Sequence, residues 1–298
     1  MSKLRYVTYD VFTGVRFAGN PLAVVFDADA LSDAQMQTIA REFNLSETSF
    51  IRAAADQRHT AEVRIFTPGK ELPFAGHPTI GSAIAIAEAR HGAPSDYILM
   101  LEEKIGPVRC AVTIAKGEPS LAEFMAPKLS ASAGEDPSIE AAARAFGLAP
   151  TDIGFGHHVP SLFSAGVTFG MIPLASVEAL ARAKPASESL LTALGSTEIF
   201  LYARAEPDAQ HAFRARMFAP EIGIVEDAAT GSAAAAFAGV LARFEVLGDG
   251  WHTLPVLQGV EMGRPSLIGL EIEIKARALT ATRIAGQAVK VSEGVLFL

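Results

Sequence analysis

The chain has 298 residues, 50% of them hydrophobic and 19% charged, with no long polar or low-complexity tract, so it is not a disordered chain and can bury the core of two domains. The formal net charge is −8, with 25 basic residues dispersed among 33 acidic ones, which argues against nucleic acid as a partner. A small anionic ligand stays open, because a helix N-terminus can hold an anion whatever the net charge.

In chain order, Tyr6 to Phe12 and Pro21 to Phe26 are rich in strand-forming residues. Ser32 then opens a helix with a capping box to Gln35. Met36, Ile39, Ala40 and Phe43 give that helix one apolar face, and Asn44 supplies a left-handed stop. An extended stretch runs from Leu45 to Ile51. A second helix begins near Pro78, at the first helical position, and runs to Ala87. Strands are expected at about 97–103, 107–115 and 120–127, with the single cysteine, Cys110, in the alternating run Val108-Arg109-Cys110-Ala111-Val112. One cysteine excludes an intramolecular disulfide and any multi-cysteine metal site, and here it reads as a buried structural thiol. A helix at about 137–146 stops at Gly147, and short helices follow near 176–183 and 187–194. Strands return at 197–204 and 211–218. After a further helix from Gly231 to Ala242 they resume at 254–260, 267–277 and 286–298.

The helices near Pro78 and Gly231 differ from the amphipathic one. Neither shows a polar face until Glu88–Arg90 or Arg243, and a helix apolar all round is enclosed by protein. The pattern is α+β: two similar domains, each a mixed sheet or barrel wrapped around one central apolar helix. The halves are read as 1–127 and 128–286, with a C-terminal strand at 287–298 that can complete the first. Two repeat registers compete. Letters match Gly81-Ser82-Ala83 to Gly231-Ser232-Ala233, whereas helix starts match Gly76-His77 to Gly231-Ser232. The second is preferred, because chemistry is possible at helix N-termini. The opening Met1-Ser2-Lys3-Leu4-Arg5-Tyr6 lacks a signal-peptide core, and no run of ~18 or more uncharged apolar residues appears. A cytoplasmic protein without a membrane span is expected.

Four stretches carry chemistry: Ala18-Gly19-Asn20-Pro21, Asn44-Leu45-Ser46-Glu47-Thr48, Pro73-Phe74-Ala75-Gly76-His77-Pro78-Thr79 and Glu226-Asp227-Ala228-Ala229-Thr230-Gly231-Ser232. In the last two a glycine precedes an enclosed helix, where free N–H groups and the helix dipole favour a carboxylate. The competing reading is plain capping by Thr230 and Ser232. Glu47 shares a strand face with Leu45, Ser49 and Ile51. Either it is held among apolar side chains, with its pKa raised toward the range of proton transfer, or it is a strand-edge carboxylate in water.

These motifs, with Tyr9-Asp10-Val11-Phe12-Thr13 and Arg216-Met217-Phe218-Ala219-Pro220, resemble in order and spacing the PhzF-like family, within the diaminopimelate epimerase fold superfamily. The resemblance implies two such domains with the active site between the two helix starts. It places the catalytic glutamate on Glu47, a histidine on His77 and an aspartate on Asp227. Ligand contacts fall on Gly76, Gly231 and Ser232, and on Asn20 of the Gly-Asn-Pro turn. Ala228 stands where the family commonly has proline. The epimerases of the fold relay protons through two cysteines, one per half, and neither helix start here has one. The implied activity is that of a cofactor-independent isomerase acting on a small-molecule carboxylate by acid/base chemistry, with no metal, in a homodimer. A non-catalytic small-acid binding protein and a lyase or racemase on the same frame are the alternatives. A Ser232–His77–Asp227 hydrolase triad lacks its Gly-x-Ser-x-Gly elbow. His157-His158 lacks metal-site companions and reads as a strand-edge pair, and Gly154-Phe155-Gly156 lacks the third glycine of a dinucleotide loop.

Overall fold

The structure, a computed structural model, describes residues 3–185, 187–222 and 224–298, so Met1 and Ser2 of the opening stretch lie outside it. The chain divides into two compact units, Met1–Met125 with Ala285–Leu298, and Ala126–Ile284. In chain order the first contains β1 (Lys3–Val11), β2 (Asn20–Val25), α1 (Asp33–Phe43), β3 (Glu47–Arg52) and β4 (Ala61–Phe66). It continues with β5 (Glu71–Leu72), α2 (Gly76–Arg90), β6 (Ser95–Glu103), β7 (Gly106–Ile114) and β8 (Ser120–Met125). The second contains β9 (Ala131–Ser132), α3 (Ile139–Phe146), β10 (Ser161–Ser164), β11 (Thr168–Pro173), α4 (Val177–Arg182), α5 (Glu188–Thr192) and β12 (Ile199–Arg204). There follow β13 (Phe213–Ala219), β14 (Ile224–Asp227), α6 (Gly231–Phe244), β15 (Gly250–Thr253), β16 (Val256–Gln258) and β17 (Ser266–Lys275). The last strand, β18 (Ala278–Phe297), begins in the second unit and enters the first at Ala285.

Local chemistry sets the element ends. Ser32 Oγ accepts from the Gln35 N–H while Gln35 Oε1 accepts from the Ser32 N–H, so the capping box forms, and Asn44 closes α1 at φ 51°. Met36, Ile39 and Ala40 of α1 pack on Val25, Phe50 and Phe66, covering the outer face of the first sheet. The hairpin between β17 and β18 turns on Ala276 and Arg277, both at positive φ (48° and 64°). That is the signature of a two-residue type I′ turn made without the usual glycine or asparagine. The strand expected at 267–277 therefore stops at Lys275, and the one expected from 286 starts at Ala278.

In the first unit β1, β2, β3, β4, β6, β7, β8 and β18 pair in a ring that closes on β1. Helix α2 packs against seven of these strands, and every residue from Gly76 to Ala87 is buried. The second unit repeats the pairing. β10–β11 is antiparallel, β11–β12 parallel, β12–β13 antiparallel, β13–β16 parallel and β16–β17 antiparallel. The same sequence of directions runs from β1–β2 to β6–β7. Its enclosed helix is α6, packed on β9, β10, β11 and β17. The two enclosed helices begin at Gly76 and Gly231, which is the second repeat register. Pro78 is thus the third helical residue rather than the first. It is tolerated there because none of the first four N–H groups of a helix has an intrahelical acceptor. Among the described residues no helix is long and apolar enough to cross a membrane.

The ring of Phe237 on α6 anchors the second core, with centroids 4.6 Å from Tyr202, 5.1 Å from Phe213 and 5.6 Å from Phe200. Phe237→Ala should lower the stability of this unit by about 3–5 kcal/mol, the range for deleting a buried aromatic ring. Urea denaturation followed by tyrosine fluorescence and circular dichroism checks this, and a loss under about 1 kcal/mol would mean that the core does not depend on this ring.

Candidate active site

Three of the expected residues meet in the first unit. Gly19, at φ +68°, makes the turn before Asn20, and a Cβ there would lie 2.4 Å from the Val11 carbonyl oxygen, so only glycine fits. Asn20 then opens β2. The parallel β2–β3 ladder begins at Leu22 opposite Glu47, which sets the carboxylate at the entry of β3. His77 is the second residue of α2. Asn20 Nδ2 lies 3.3 Å from His77 Nδ1, and His77 Nε2 lies 3.5 Å from Glu47 Oε2. Asn20, His77 and Glu47 are 0%, 3% and 8% exposed, so Glu47 is not a strand-edge carboxylate in water.

Burial drives the His77 imidazole down to about 3, and a hydrogen bond to the Pro21 carbonyl offsets only part of that. The contact with Glu47 therefore involves a neutral ring near pH 7. With the Asn20 amide donating to Nδ1, the neutral ring carries its proton on Nε2, the nitrogen turned toward Glu47.

The second unit assembles Asp227, Thr230, Gly231 and Ser232 at the start of α6, with one residue that the sequence pattern did not reveal. Gln258, fully buried at the end of β16, donates from Nε2 to the Asp227 carbonyl (2.8 Å) and to Thr230 Oγ1 (3.1 Å). Its Oε1 accepts from the Thr230 N–H (3.2 Å). Thr230 Oγ1 in turn donates to Asp227 Oδ2 at 2.6 Å. The capping reading of Thr230 is thereby corrected: its hydroxyl is committed to Asp227, and no side chain caps α6. Ala75 cannot cap α2 either, so neither enclosed helix is capped by the side chain of its own N-cap residue. No periodic or spacing signal marks Gln258. The only local hint is Gly259 beside it, at φ +76°, where a Cβ would fall 2.6 Å from the Ala228 carbonyl oxygen.

The halves are alike in frame and unlike in chemistry. Where Leu22 faces Glu47 at the opening of the first parallel ladder, Gly170 faces Ile199 at the opening of the second. Where His77 follows Gly76, Ser232 follows Gly231. Cys110 is fully buried on β7, and burial pushes its thiol up, out of the range of a proton relay. His158 is not a strand-edge residue. It is buried, with Nδ1 3.0 Å from the Tyr202 hydroxyl and Nε2 3.0 Å from Glu245 Oε1, while His157 beside it is exposed. Among the described residues no group of three or more His, Cys, Asp or Glu is placed to hold a metal.

The histidine geometry has a direct test. In 15N-resolved NMR the His77 ring, identified by its loss in His77→Asn, should stay unprotonated throughout pH 5–8, because its pKa lies near 3. A titration with a midpoint close to the ordinary ~6.5 would mean that the ring is solvated or paired with a fixed anion.

Residues 9–294 match the family model described as phenazine biosynthesis-like protein. An uncharacterized isomerase from Mesorhizobium japonicum is 46% identical over the whole of both chains. A trans-2,3-dihydro-3-hydroxyanthranilate isomerase from Pseudomonas fluorescens is 38% identical over 98% of this chain and 99% of its own. Among solved structures, a Bacillus anthracis phenazine biosynthesis protein of the PhzF family superposes with TM-score 0.87 at 25% identity, covering all of both chains. An Agrobacterium vitis hydroxyproline epimerase, 12% identical, shares the fold with TM-score 0.66 over 99% of this chain and 91% of its own. The chain belongs to the phenazine biosynthesis-like family, PhzC-PhzF, and is an isomerase of it.

Proposed function

We propose that the protein moves a proton between carbon atoms of a small, carboxylate-bearing, unsaturated substrate, with Glu47 as the only proton carrier. The observation that carries this reading is the buried Glu47 carboxylate 3.5 Å from a ring that stays neutral, in a unit whose single thiol is buried elsewhere. Glu47 Oε takes a proton from one carbon, and the C–H electron pair moves into the adjacent unsaturated system as an enolate-like anion. The same carboxyl returns the proton to a second carbon as the double bond shifts, so no atom or electron is gained or lost. His77 holds the Glu47 carboxyl in place in both protonation states, and Asn20 orients the ring. Each helix start offers N–H groups suited to an anion, at Gly76 and His77 in the first unit and at Gly231 with the Ser232 hydroxyl in the second. Asp227, fixed by Thr230 and Gln258, is the acidic side chain beside the second unit's helix start.

The 38% identical relative suggests trans-2,3-dihydro-3-hydroxyanthranilate as the first compound to offer. With it, or with whichever small unsaturated acid turns over, Glu47→Gln should reduce kcat by ~10²–10⁴-fold or more. Thermal stability should stay similar or rise, since the amide removes a carboxylate from a buried site. More than about a tenth of wild-type kcat remaining in Glu47→Gln would defeat the assignment. In deuterated buffer the product should acquire deuterium at the newly protonated carbon, to the extent that Glu47 exchanges with solvent.

The same chemistry asks nothing of a metal. Prolonged dialysis against a chelator should leave kcat unchanged, and loss of activity restored by one divalent cation would contradict a purely carboxylate-based mechanism.

A further inference from the structure

Glu103 ends β6 and is 7% exposed, yet among the described residues no cation is set against it. Its neighbour Lys104 is spent on Glu71, and the titratable group facing it is Cys110 of β7, whose thiol is held neutral. Its contact is with α2: Glu103 Oε1 lies 2.8 Å from Thr79 Oγ1. The same hydroxyl lies 2.8 Å from the Ala75 carbonyl oxygen. A threonine hydroxyl has one proton, and a carbonyl can only accept. With Glu103 ionised, both neighbours compete for that proton, and whichever loses faces lone pairs at 2.8 Å. With Glu103 protonated, the carboxyl donates to Thr79, Thr79 donates to Ala75, and every contact is satisfied.

The second unit holds the same circuit in a form that needs no proton uptake. Gln258, the last residue of β16 as Glu103 is of β6, donates from its amide to Thr230 Oγ1, and Thr230 donates onward to Asp227. In each unit a group at the end of the strand that follows the enclosed helix in the ladder thus fastens a threonine beside the start of that helix. In the first unit the fastened turn carries Gly76 and His77.

We propose that Glu103 is a positioning residue which, as a neutral carboxylic acid, locks the first turn of α2 through Thr79 and releases it on ionising. Its importance for turnover rests on the role proposed above for His77 and Gly76; the lock itself does not. Burial holds the Glu103 carboxyl up at about 8, with Thr79 opposing only part of that, so it is mainly protonated at pH 7 and ionises in mild alkali. An ionised Glu103 would also set a negative charge beside a helix start suited to an anion such as the substrate carboxylate, so alkaline pH should raise KM before it lowers kcat.

The test uses Glu103→Gln, which gives the first unit the amide that the second already has. In wild type the His77 ring resonances should shift with a midpoint near pH 8, although His77 itself does not titrate there. In Glu103→Gln that shift should vanish. A carboxyl that keeps its proton in the folded chain and sheds it in the unfolded one makes stability fall as pH climbs from the unfolded value of ~4.3 toward the folded one. Wild-type Tm should therefore drop by several degrees more than that of Glu103→Gln between pH 5 and pH 8. Thr79→Val supplies a second reading: with the link cut, the His77 shift near pH 8 should be lost while Glu103 remains. The proposal is overturned by a His77 shift that persists in either variant, or by Tm profiles of wild type and Glu103→Gln that run parallel. None of these readouts involves turnover, so absence of isomerase activity would strike the proposed function and leave this result standing.

Discussion

A helix with no polar face cannot lie on a surface. Helix α2 buries every residue from Gly76 to Ala87, and α6 nearly all from Gly231 to Leu241, so strands have to enclose them on every side. Small residues make this feasible: at Gly81 a Cβ would come 2.5 Å from Leu22, and at Gly239 2.6 Å from Phe163. The closed ring of the first unit, the repeated strand directions of the second and the outer helices α1, α3, α4 and α5 follow from that one requirement. Once the flanks are sealed by apolar packing, the only polar groups that such a helix still offers are those of its first and last turns. The fold thereby concentrates electrostatic character at two helix starts, neither of which is capped by the side chain of its N-cap residue.

That shared frame carries unequal chemistry. The glutamate stands at the opening of one parallel ladder and an isoleucine at the opening of the other; a histidine follows one helix glycine and a serine the other. Repetition supplies the geometry twice, while the side chains at corresponding positions differ. The proposed mechanism, in which one carboxyl both accepts and returns a proton, would need only one such residue.

Periodicity and local chemistry made much of this legible. The Ser32–Gln35 box, the Asn44 stop, the apolar face of α1 and the two enclosed helices each depend on residues near one another in sequence, and each formed, with α2 beginning two residues before Pro78. The motif residues Asn20, Glu47 and His77 were legible only through their resemblance to a family, because 27 and 30 residues separate them and only the folded ladder brings them together. What escaped was of another kind. Gln258, Glu103 and His158 are polar residues whose partners lie 28, 24, 44 and 87 positions away, and no window of sequence distinguishes them from solvated surface. The hairpin at Ala276-Arg277 escaped because its residues lack the usual signal for a left-handed turn.

The path of β18 has a consequence for biosynthesis. The ring of the first unit closes on β1 through residues that pair as far as Phe297, so Lys3 waits for a partner almost 300 positions away. The second unit, by contrast, is a continuous segment, Ala126–Ile284. Synthesis runs N-terminus first, so the edges of β1 and β8 stay unpaired until β18 follows the second unit. The vulnerable interval of this protein is thus set by the arrival of β18, and a chain interrupted before it would leave an unclosed barrel that displays pairing edges to its neighbours.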